Sequence, residues 1–466
     1  MDWKAGRLPL KGLRVLDWSV YWAGPYLSMT LHDLGAEVIK IESPSSWDPM
    51  RTVIDVNRGV RGTQKPMTPQ ERSNVSQHFN EWNRGKLGLA VELRGHQGRD
   101  VLLRLVRESD IFVENHRPHV KQKLRITYDD LREAKPDLIY ISLSGYGQTR
   151  PDRDAMALGS PVEVASGLFA LNGYLDDPTP AKTGFSYGDP VGALTALAAV
   201  LLALRNRRRT GEGAYVDIAL RDSLAFGIGA AFTGEALTPG PSPVRGRGEN
   251  KSFDTVSVSL EPPPKAEHIA PLPQGEGLGV RAHRGNRHPV YAPQGVYRAL
   301  GADEWVAISV RDNADWAALA EPLGNPAWHA DARFATAEAR RTHHDELDML
   351  VEDWTRTRPA RAIEIALQEA GVPAGAVLDY RQLRRDPQVN ARGMFREVTH
   401  PAFGREVRAA SLFERGQTAP PVDMPAPMFG QHNHEVLTRI LGYEEDEVRA
   451  LERDGVIGSE ILATGD

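Results

Sequence analysis

Short apolar runs alternate with amphipathic segments along the first half of the chain. Buried strands are predicted at 13–18, 37–42, 88–93, 110–114, 137–143 and 215–220. A helix that ends at Gly35 separates the first two strands, and 95–108 forms an amphipathic helix. A strand, a helix and a strand within 13–42 predict a βαβ unit, which implies parallel strands with a right-handed crossover. The first half is therefore expected to form an open, mostly parallel α/β sheet.

The second half has a different pattern. Strands are predicted at 295–299 and 305–310, and helices at 312–323, 345–355 and 359–371. These elements indicate a smaller α/β domain over 285–390. The tail, 391–466, combines extended segments at 400–407 and 419–427 with a helical region at 433–451, and we expect it to pack back on the large domain.

Residues 237–284 interrupt the pattern, because they are rich in proline and glycine and lack apolar periodicity. We interpret this stretch as a low-complexity, disordered insertion without a function. A purposeful lid over the active site is the alternative. Deleting 238–282 separates the two, since loss of turnover would contradict the insertion hypothesis.

Composition narrows the possible functions. A chain of 466 residues with 41% hydrophobic and 25% charged positions is typical of a soluble protein with two or three domains. A net charge of -6 gives no electrostatic footprint for nucleic acid, and the absence of cysteine excludes disulfides and thiol catalysis. No secretory signal is recognisable, and the apolar segment 191–204 is too short to span a bilayer. We therefore expect a cytoplasmic protein that binds neither nucleic acid nor membrane.

The best candidate for chemistry is the acidic segment 172–190, NGYLDDPTPAKTGFSYGDP. Gly173 precedes the adjacent aspartates Asp176 and Asp177, and Asp189 stands at the start of an apolar helix. Loops of this kind on rigid scaffolds often carry function. The same residue types also make ordinary solvated turns, so the segment by itself is compatible with a functional loop and with a surface turn.

Other constellations are weaker. His343 and His344, next to Asp345 and Glu346, do not share a helix face, so no metal site is expected. The first βα loop lacks G-x-G-x-x-G, which disfavours the usual dinucleotide site. Ser144-Gly145 is only half of a G-x-S-x-G elbow.

A set of longer motifs runs along the chain: WAGPYLSMTLHDLGAEVIKIESP, WDPMR, NRGKLGLAVEL, DIFVENHRP, LIYISLSGYGQT, ASGLFALNG, GDP followed by RRRTGEGAYVDIAL, and GNRHPVYAPQGVYR. Through these motifs the chain resembles the class III CoA-transferases, the family of formyl-CoA:oxalate and carnitine CoA-transferases. The resemblance implies a Rossmann-like CoA-binding domain over 1–224 and an interlocked homodimer. It also implies that an acyl-CoA and a carboxylic acid are the substrates, with coenzyme A as a substrate and not as a resident cofactor.

By the same resemblance, Asp176 is the nucleophile, because it follows Gly173 at the family's spacing. The family usually continues Asp-Gly-Pro, whereas this chain has Asp176-Asp177-Pro178, so Asp177 is the alternative nucleophile. The matching CoA-binding positions are Trp22, Ala23, Asn83, Lys86, Asn115, His116, Lys123 and Leu124. Backbone N–H groups near Gly173 and Gly285 are expected to stabilise an oxyanion, and Asp189 is expected to order the Asp176 loop.

Two rival functions are open. The α-methylacyl-CoA racemases share the fold and use an aspartate at the position of Asp189 together with a histidine in a Gly-His-Asp element. This chain reads Ala157-Leu158-Gly159 there, so the histidine is missing. The second rival is a catalytically inactive CoA-binding homologue, because a chain without an enzymatic function tolerates an insertion.

Overall fold

The computed structural model describes residues 8–52, 69–149, 151–174, 179–229, 285–402, 404–411 and 424–461. Asp176, Asp177, the segment 237–284 and most of the extended segment 419–427 lie outside the described residues.

The first half is built on a six-stranded sheet in which every neighbouring pair is parallel. The strands are β1 (Arg14–Trp18), β2 (Glu37–Glu42), β3 (Leu87–Ala90), β4 (Ile111–Glu114), β5 (Ile139–Ser144) and β6 (Ala214–Ala219), in the order β3-β2-β1-β4-β5-β6. Most of their side chains are buried, because helices cover both faces of the sheet. This confirms the predicted open parallel α/β sheet.

Helices connect these strands. They are α1 (Ala23–Asp33), α2 (Pro69–Asn74), α3 (Gln77–Trp82), α4 (His96–Arg107), α5 (Pro118–Leu124), α6 (Tyr128–Arg132), α7 (Gly159–Ala165), α8 (Gly188–Thr210) and α9 (Leu220–Gly227). Helix α4 buries Val101, Leu102, Leu105 and Val106 against one face of the sheet, as its periodicity predicts. Helices α1 and α8 pack together on the other face.

The order of the strands fixes where a ligand can bind. The chain leaves β1 for β2 on one side, and β4 pairs with β1 on the other side. The helices that follow β1 and β4 therefore lie on opposite sides, and a crevice opens at the carboxyl ends of these two strands. Ser19–Trp22 and Asn115–His116 occupy this position.

The second half contains a smaller antiparallel sheet of β7 (Gln294–Arg298), β8 (Trp305–Ser309) and β9 (Ala374–Ala376). Its helices are α10 (Asn313–Leu319), α11 (Ala337–Thr342), α12 (His344–Thr355), α13 (Ala360–Glu369), α14 (Tyr380–Arg385) and α15 (Pro387–Ala391). These elements share their own apolar core, which includes Val306, Leu347, Val351 and Ile363.

The C-terminal segment returns to the large sheet. After the hairpin of β10 (Phe395–His400) and β11 (Gly404–Ala409), the chain forms α16 (Asn433–Glu435), a π-helical turn (Val436–Ile440) and α17 (Glu445–Arg453). Strand β3 is the edge of the sheet, and its Gly88 N–H donates to His432 Nδ1 over 2.9 Å. The Ala90 N–H donates to Asn433 Oδ1 over 2.8 Å, so the tail covers this edge.

Two sequence-based expectations need correction. Helix α8 continues through the arginines after Leu204 to Thr210, and among the described helices it alone has the length and composition of a membrane-spanning helix. The argument from shortness is therefore wrong, although α8 buries Ala196, Val200 and Leu204 in the protein core. The extended segment predicted at 400–407 is instead interrupted by the turn that joins β10 to β11, where His400 pairs with Gly404.

Candidate active site

The loop after β1 is held in place from two sides. The Val20 N–H donates to Asn115 Oδ1 over 2.8 Å, and Asn115 Nδ2 donates back to the Val20 carbonyl over 2.6 Å. Tyr21 has a positive φ of 65°, and its N–H donates to Asp48 Oδ1 over 3.0 Å. Asn115 therefore fixes the loop that carries Trp22 and Ala23, and both ends of its amide are used for this purpose.

Asn83 and Lys86 lie beneath this loop and are fully buried. The Lys86 ammonium donates to Asp17 Oδ2 over 2.8 Å, to the Pro25 carbonyl over 3.0 Å and to Asn83 Oδ1 over 2.8 Å. An ammonium group has three N–H bonds to donate, and all three acceptors here belong to the protein. In this structure Lys86 joins β1 to the first turn of α1 and does not face the crevice as a free cation.

The charges around Lys86 form a buried network. Burial lowers the pKa of Lys86 to about 8 despite the opposing effect of Asp17. Burial would raise the pKa of Asp17, but Lys40 and Lys86 outweigh it and hold that pKa well below its usual range. Lys40 also contacts Asp48 Oδ2 at 3.1 Å, and Glu42 pairs with Arg51 at 2.6 Å. The buried charges beneath the crevice are therefore paired with one another within the protein.

A cavity of about 370 Å³ opens at the carboxyl ends of β1, β2 and β4. Three of the predicted CoA-binding residues line it, namely His116, Lys123 and Leu124. The His116 ring lies 4.1 Å from that of Trp18, which also lines the cavity. Burial, followed by the nearby Lys40 and Lys121, lowers the pKa of His116 to about 3, so this imidazole is neutral at pH 7. Within the described part of the chain, its Nε2 atom has no hydrogen-bond partner.

The same cavity contains a cation that sequence reasoning missed, Arg94. Arg94 lines the cavity together with His119 and Lys123, and the side chains of Arg94 and Lys123 are exposed. Arg94 follows strand β3 by only a few residues, at the carboxyl edge of the sheet. The rule that ligands bind at this edge was the signal that could have identified Arg94.

Trp22 connects the first βα loop to the segment before α8. Its ring stacks on Trp82 at 4.9 Å and meets Phe185 edge-on at 4.8 Å, and Phe185 in turn contacts Tyr187. The buried Nε1 of Trp22 has no hydrogen-bond partner among the described residues. This aromatic cluster places the predicted CoA loop beside the acidic segment 172–190.

Two residues of the acidic segment, Asn172 and Ala181, are joined by a pair of hydrogen bonds. Asn172 Nδ2 donates to the Ala181 carbonyl over 2.6 Å, and the Ala181 N–H donates to the Asn172 carbonyl over 2.8 Å. These two bonds close the base of a loop that contains Gly173 and, outside the described residues, Asp176. Gly285, by contrast, lines a separate cavity of about 620 Å³ on the smaller sheet.

Asp189 lies in the first turn of α8, and the backbone N–H of Ala23 lies close enough to favour the charged form of its carboxylate. Burial raises the pKa of Asp189 to about 6, and the negative charge of Glu163 adds to the effect. A Cβ atom at Gly159 would lie 2.5 Å from Asp189 Oδ2, so a larger residue there would displace the carboxylate. Asp189 thus joins the predicted CoA loop to α7 and α8.

Comparison with known proteins assigns the family. A family model described as CoA-transferase family III matches residues 10–259 and 270–433. The chain belongs to CoA-transferase family III. It is 31% identical over 451 residues to a succinyl-CoA–D-citramalate CoA-transferase of Chloroflexus aurantiacus, covering 96% of this chain and 98% of the relative. It is also 27% identical over 454 residues to a formyl-CoA:oxalate CoA-transferase of Streptomyces avermitilis, covering 96% of this chain and 99% of the relative.

Solved structures agree with this assignment. A CAIB/BAIF family protein from Brucella suis superposes with a TM-score of 0.72 at 26% identity, covering 93% of this chain and 99% of that one. The resemblance seen in the sequence motifs is thereby confirmed, and this chain is an enzyme of the CoA-transferase class. The gap between the two ranges matched by the family model falls inside 237–284.

For this CoA-transferase, the structure sorts the predicted CoA-binding residues into three groups. His116, Lys123 and Leu124 line the cavity at the sheet edge. Trp22 ends the adjoining loop, which Asn115 holds at Val20, and Ala23 is the first residue of α1. Asn83 and Lys86 are buried beneath that loop.

Proposed function

We propose that this enzyme moves CoA from an acyl-CoA thioester to a free carboxylic acid, with Asp176 as the covalent nucleophile. The observation that carries the proposal is the clamp between Asn172 and Ala181, which closes the base of the Asp176 loop. Phe185, shortly after this clamp, contacts Trp22 of the predicted CoA loop. Membership of CoA-transferase family III supports the reaction class.

The proposed reaction consists of four acyl transfers. The Asp176 carboxylate attacks the thioester carbonyl, forming a C–O bond and expelling the CoA thiolate to leave a mixed anhydride. The thiolate then attacks the aspartyl carbonyl, which releases the first carboxylate and leaves an aspartyl-CoA thioester. The acceptor carboxylate displaces the thiolate to form a second anhydride, and the thiolate attacks the acceptor carbonyl. The products are a new acyl-CoA and free Asp176, with no net uptake or release of protons.

Carboxylate exchange requires this relay because a free carboxylate does not react directly with a thiol. Asp has an ordinary pKa of about 3.9, so an aspartate without strong perturbation is ionised and nucleophilic at pH 7. Water must be excluded, since it would hydrolyse either anhydride. The aromatic side chains Trp22, Trp82 and Phe185 provide an apolar wall next to the loop.

We assign the cavity at the carboxyl ends of β1, β2 and β4 to coenzyme A. Lys123 and Arg94 are exposed cations suited to phosphate oxygens, which accept strong charge-assisted hydrogen bonds. Trp18 and the neutral His116 offer ring surface and one unused nitrogen to the remainder of the molecule. In this proposal Lys86 and Asn115 act as positioning residues, because their polar groups are bound to the protein itself.

A racemase activity receives less support from the geometry. Burial raises the pKa of Asp189 to about 6, which suits proton exchange, but its carboxylate lies close to the Ala23 N–H and packs against Gly159. The second acid/base group of such an enzyme would be a histidine in the element 157–159, where this chain has Ala157, Leu158 and Gly159. We therefore propose that Asp189 positions the CoA loop.

We also propose that the enzyme works as a homodimer, which the family resemblance implies to be interlocked. Apolar side chains on α8 and α9 are exposed in the single chain. Phe226 is 90% exposed, Leu202 65% and Leu201 43%. Exposed apolar surface of this kind is typical of protein interfaces. Sedimentation velocity of the purified chain tests this directly.

The nucleophile can be identified by trapping. The enzyme is incubated with a panel of acyl-CoA thioesters, treated with hydroxylamine and digested for mass spectrometry. A hydroxamate on the Asp176 peptide that is lost in Asp176→Asn supports the proposal. An adduct that survives in Asp176→Asn and disappears in Asp177→Asn assigns the nucleophile to Asp177 instead. Exchange of the α-proton with solvent, without transfer to any acid, identifies a racemase, and CoA binding without either reaction identifies an inactive homologue.

A further inference from the structure

A second cavity, of about 450 Å³, lies between the 3-10 helix Leu168–Leu171, the start of α8 and the end of α9. Its volume falls within the range of roughly 300–1,000 Å³ that small-molecule pockets occupy. Its apolar wall is formed by Leu168, Phe169, Leu171, Val191, Leu224 and Ile228. The site is distinct from the cavity assigned to coenzyme A, with which it shares no lining residue.

This second cavity adjoins the loop of the proposed nucleophile. Asn172 lines it and is one half of the clamp that closes that loop. Thr183, two residues beyond the other half, Ala181, lines it as well. The pocket therefore borders described residues on both sides of that loop, Asn172 before it and Thr183 after it.

The lining of the second cavity is uncharged throughout its described residues. Its polar members are the amide of Asn172 and the hydroxyls of Thr183, Tyr187 and Ser223. A carboxylate buried among such groups has no cation to compensate its lost hydration, which is strongly unfavourable. A hydrocarbon chain, by contrast, gains from burial against leucine, valine and isoleucine side chains.

We propose that this cavity binds the acyl chain of the substrate, and that the enzyme takes CoA thioesters of apolar monocarboxylic acids in preference to those of dicarboxylic acids. The proposal rests on the proposed function, because it requires the reacting carbonyl to lie at the Asp176 loop. To the proposed function this proposal adds the chemical class of the acyl group, which the family resemblance does not specify.

The test compares two unreactive ligands of almost equal size, S-hexyl-CoA and S-(5-carboxypentyl)-CoA, by isothermal titration calorimetry on the full-length enzyme. We expect S-hexyl-CoA to bind at least ~10-fold more tightly, because only S-(5-carboxypentyl)-CoA would bring a carboxylate into the cavity. In Leu171→Arg, the new cation should reduce this preference to within about 2-fold or reverse it. Leu171 is 38% exposed, so the substitution should leave the fold intact.

Leu300→Arg is the matched control, because Leu300 is 54% exposed and does not line this cavity. It should retain the wild-type preference. Equal affinities in the wild type, or a preference that Leu171→Arg leaves unchanged, would overturn the proposal. Both measurements are made without turnover, so they remain informative if the transferase reaction is not observed.

A kinetic comparison separates the two proposals. We expect the kcat/KM for hexanoyl-CoA to exceed that for adipoyl-CoA. Preference for adipoyl-CoA with an intact aspartyl adduct contradicts the acyl-chain assignment and leaves the proposed function standing. Preferential binding of S-hexyl-CoA without any adduct contradicts the proposed function and supports the apolar cavity.

Discussion

The backbone N–H of Ala23 lies close to the carboxylate of Asp189 and favours its charged form. This contact brings the start of α1, at the end of the first βα loop, to the first turn of α8, although the two residues belong to different motifs in the sequence. It brings the predicted CoA loop next to the helix that follows the acidic segment. A titratable group at this junction makes the stability of the region dependent on pH.

Replacement of Asp189 by asparagine should reduce this pH dependence. The pKa of Asp189 is raised from 3.8 to about 6, so the folded state holds its proton more tightly than the unfolded state. The resulting contribution to the free energy of unfolding is complete below pH 3.8 and is lost as the pH rises to about 6. The loss is on the order of 2 kcal/mol. Urea unfolding at pH 4, 5, 6 and 7 should show a smaller decline in Asp189→Asn. If the free energy of unfolding declines equally with pH in the two proteins, the pKa of Asp189 is not raised in the folded state.

His116 should produce the opposite trend. Its pKa is lowered from 6.5 to about 3 by burial, so its contribution is present above pH 6.5 and is lost as pH falls. Between pH 6.5 and 5 the wild type should lose about 2 kcal/mol more of its free energy of unfolding than His116→Gln. His96→Gln serves as the control, since His96 is exposed. A control that changes the pH dependence as much as His116→Gln would contradict the assignment.

Removal of the Lys86 charge should be costly. Lys86→Met leaves Asp17 buried without its closest cation, and unpaired buried charges of this kind destabilise proteins by about 3–5 kcal/mol. The double variant Lys86→Met/Asp17→Leu should recover part of the loss, and the exposed Lys11→Met should show almost none. Chemical denaturation of the wild type, these three variants and the single variant Asp17→Leu, which completes the double-mutant cycle, measures the coupling between Lys86 and Asp17. Strictly additive effects would show that the pair does not interact.

Substitution of the cavity cations should weaken binding of the thioester and leave the chemical step intact. Lys123→Ala and Arg94→Ala each remove a charged donor, so KM for an acyl-CoA should rise about 10-fold or more while kcat stays near the wild-type value. Raising the ionic strength should shrink the difference from wild type. Lys11→Ala controls for a general loss of positive charge. A fall in kcat at constant KM would place these residues outside the CoA site.

Much of the large domain could be predicted from the sequence, because parallel strands buried on both faces appear as short apolar runs. Strand β2 was predicted with its observed ends, and Gly35 follows α1 with a φ of 104° that favours glycine. The apolar run 191–204 alone is shorter than α8, because the helix begins at Gly188 and its last turn contains arginines, which are polar yet compatible with a helix. Arg207 is held by Asp110 at 2.8 Å, a contact between residues far apart in the sequence.

The site was predictable in its location and less so in its roles. Asn115 and His116 follow β4, and the rule for open sheets places them at the ligand crevice. The burial of Lys86 could not be read from its neighbours, since its partner Asp17 lies 69 residues away. Residues that meet only through the fold, such as Ala23 and Asp189, leave no local signal in the sequence.

The cover that His432 and Asn433 form over strand β3 has a consequence for biosynthesis. Until these residues leave the ribosome, the N–H groups of Gly88 and Ala90 remain open along an otherwise complete sheet edge. Uncovered edges of this kind can pair with other chains and promote aggregation. Nascent or truncated chains that end before His432 should therefore depend on chaperones, and only the finished polypeptide should protect its own sheet.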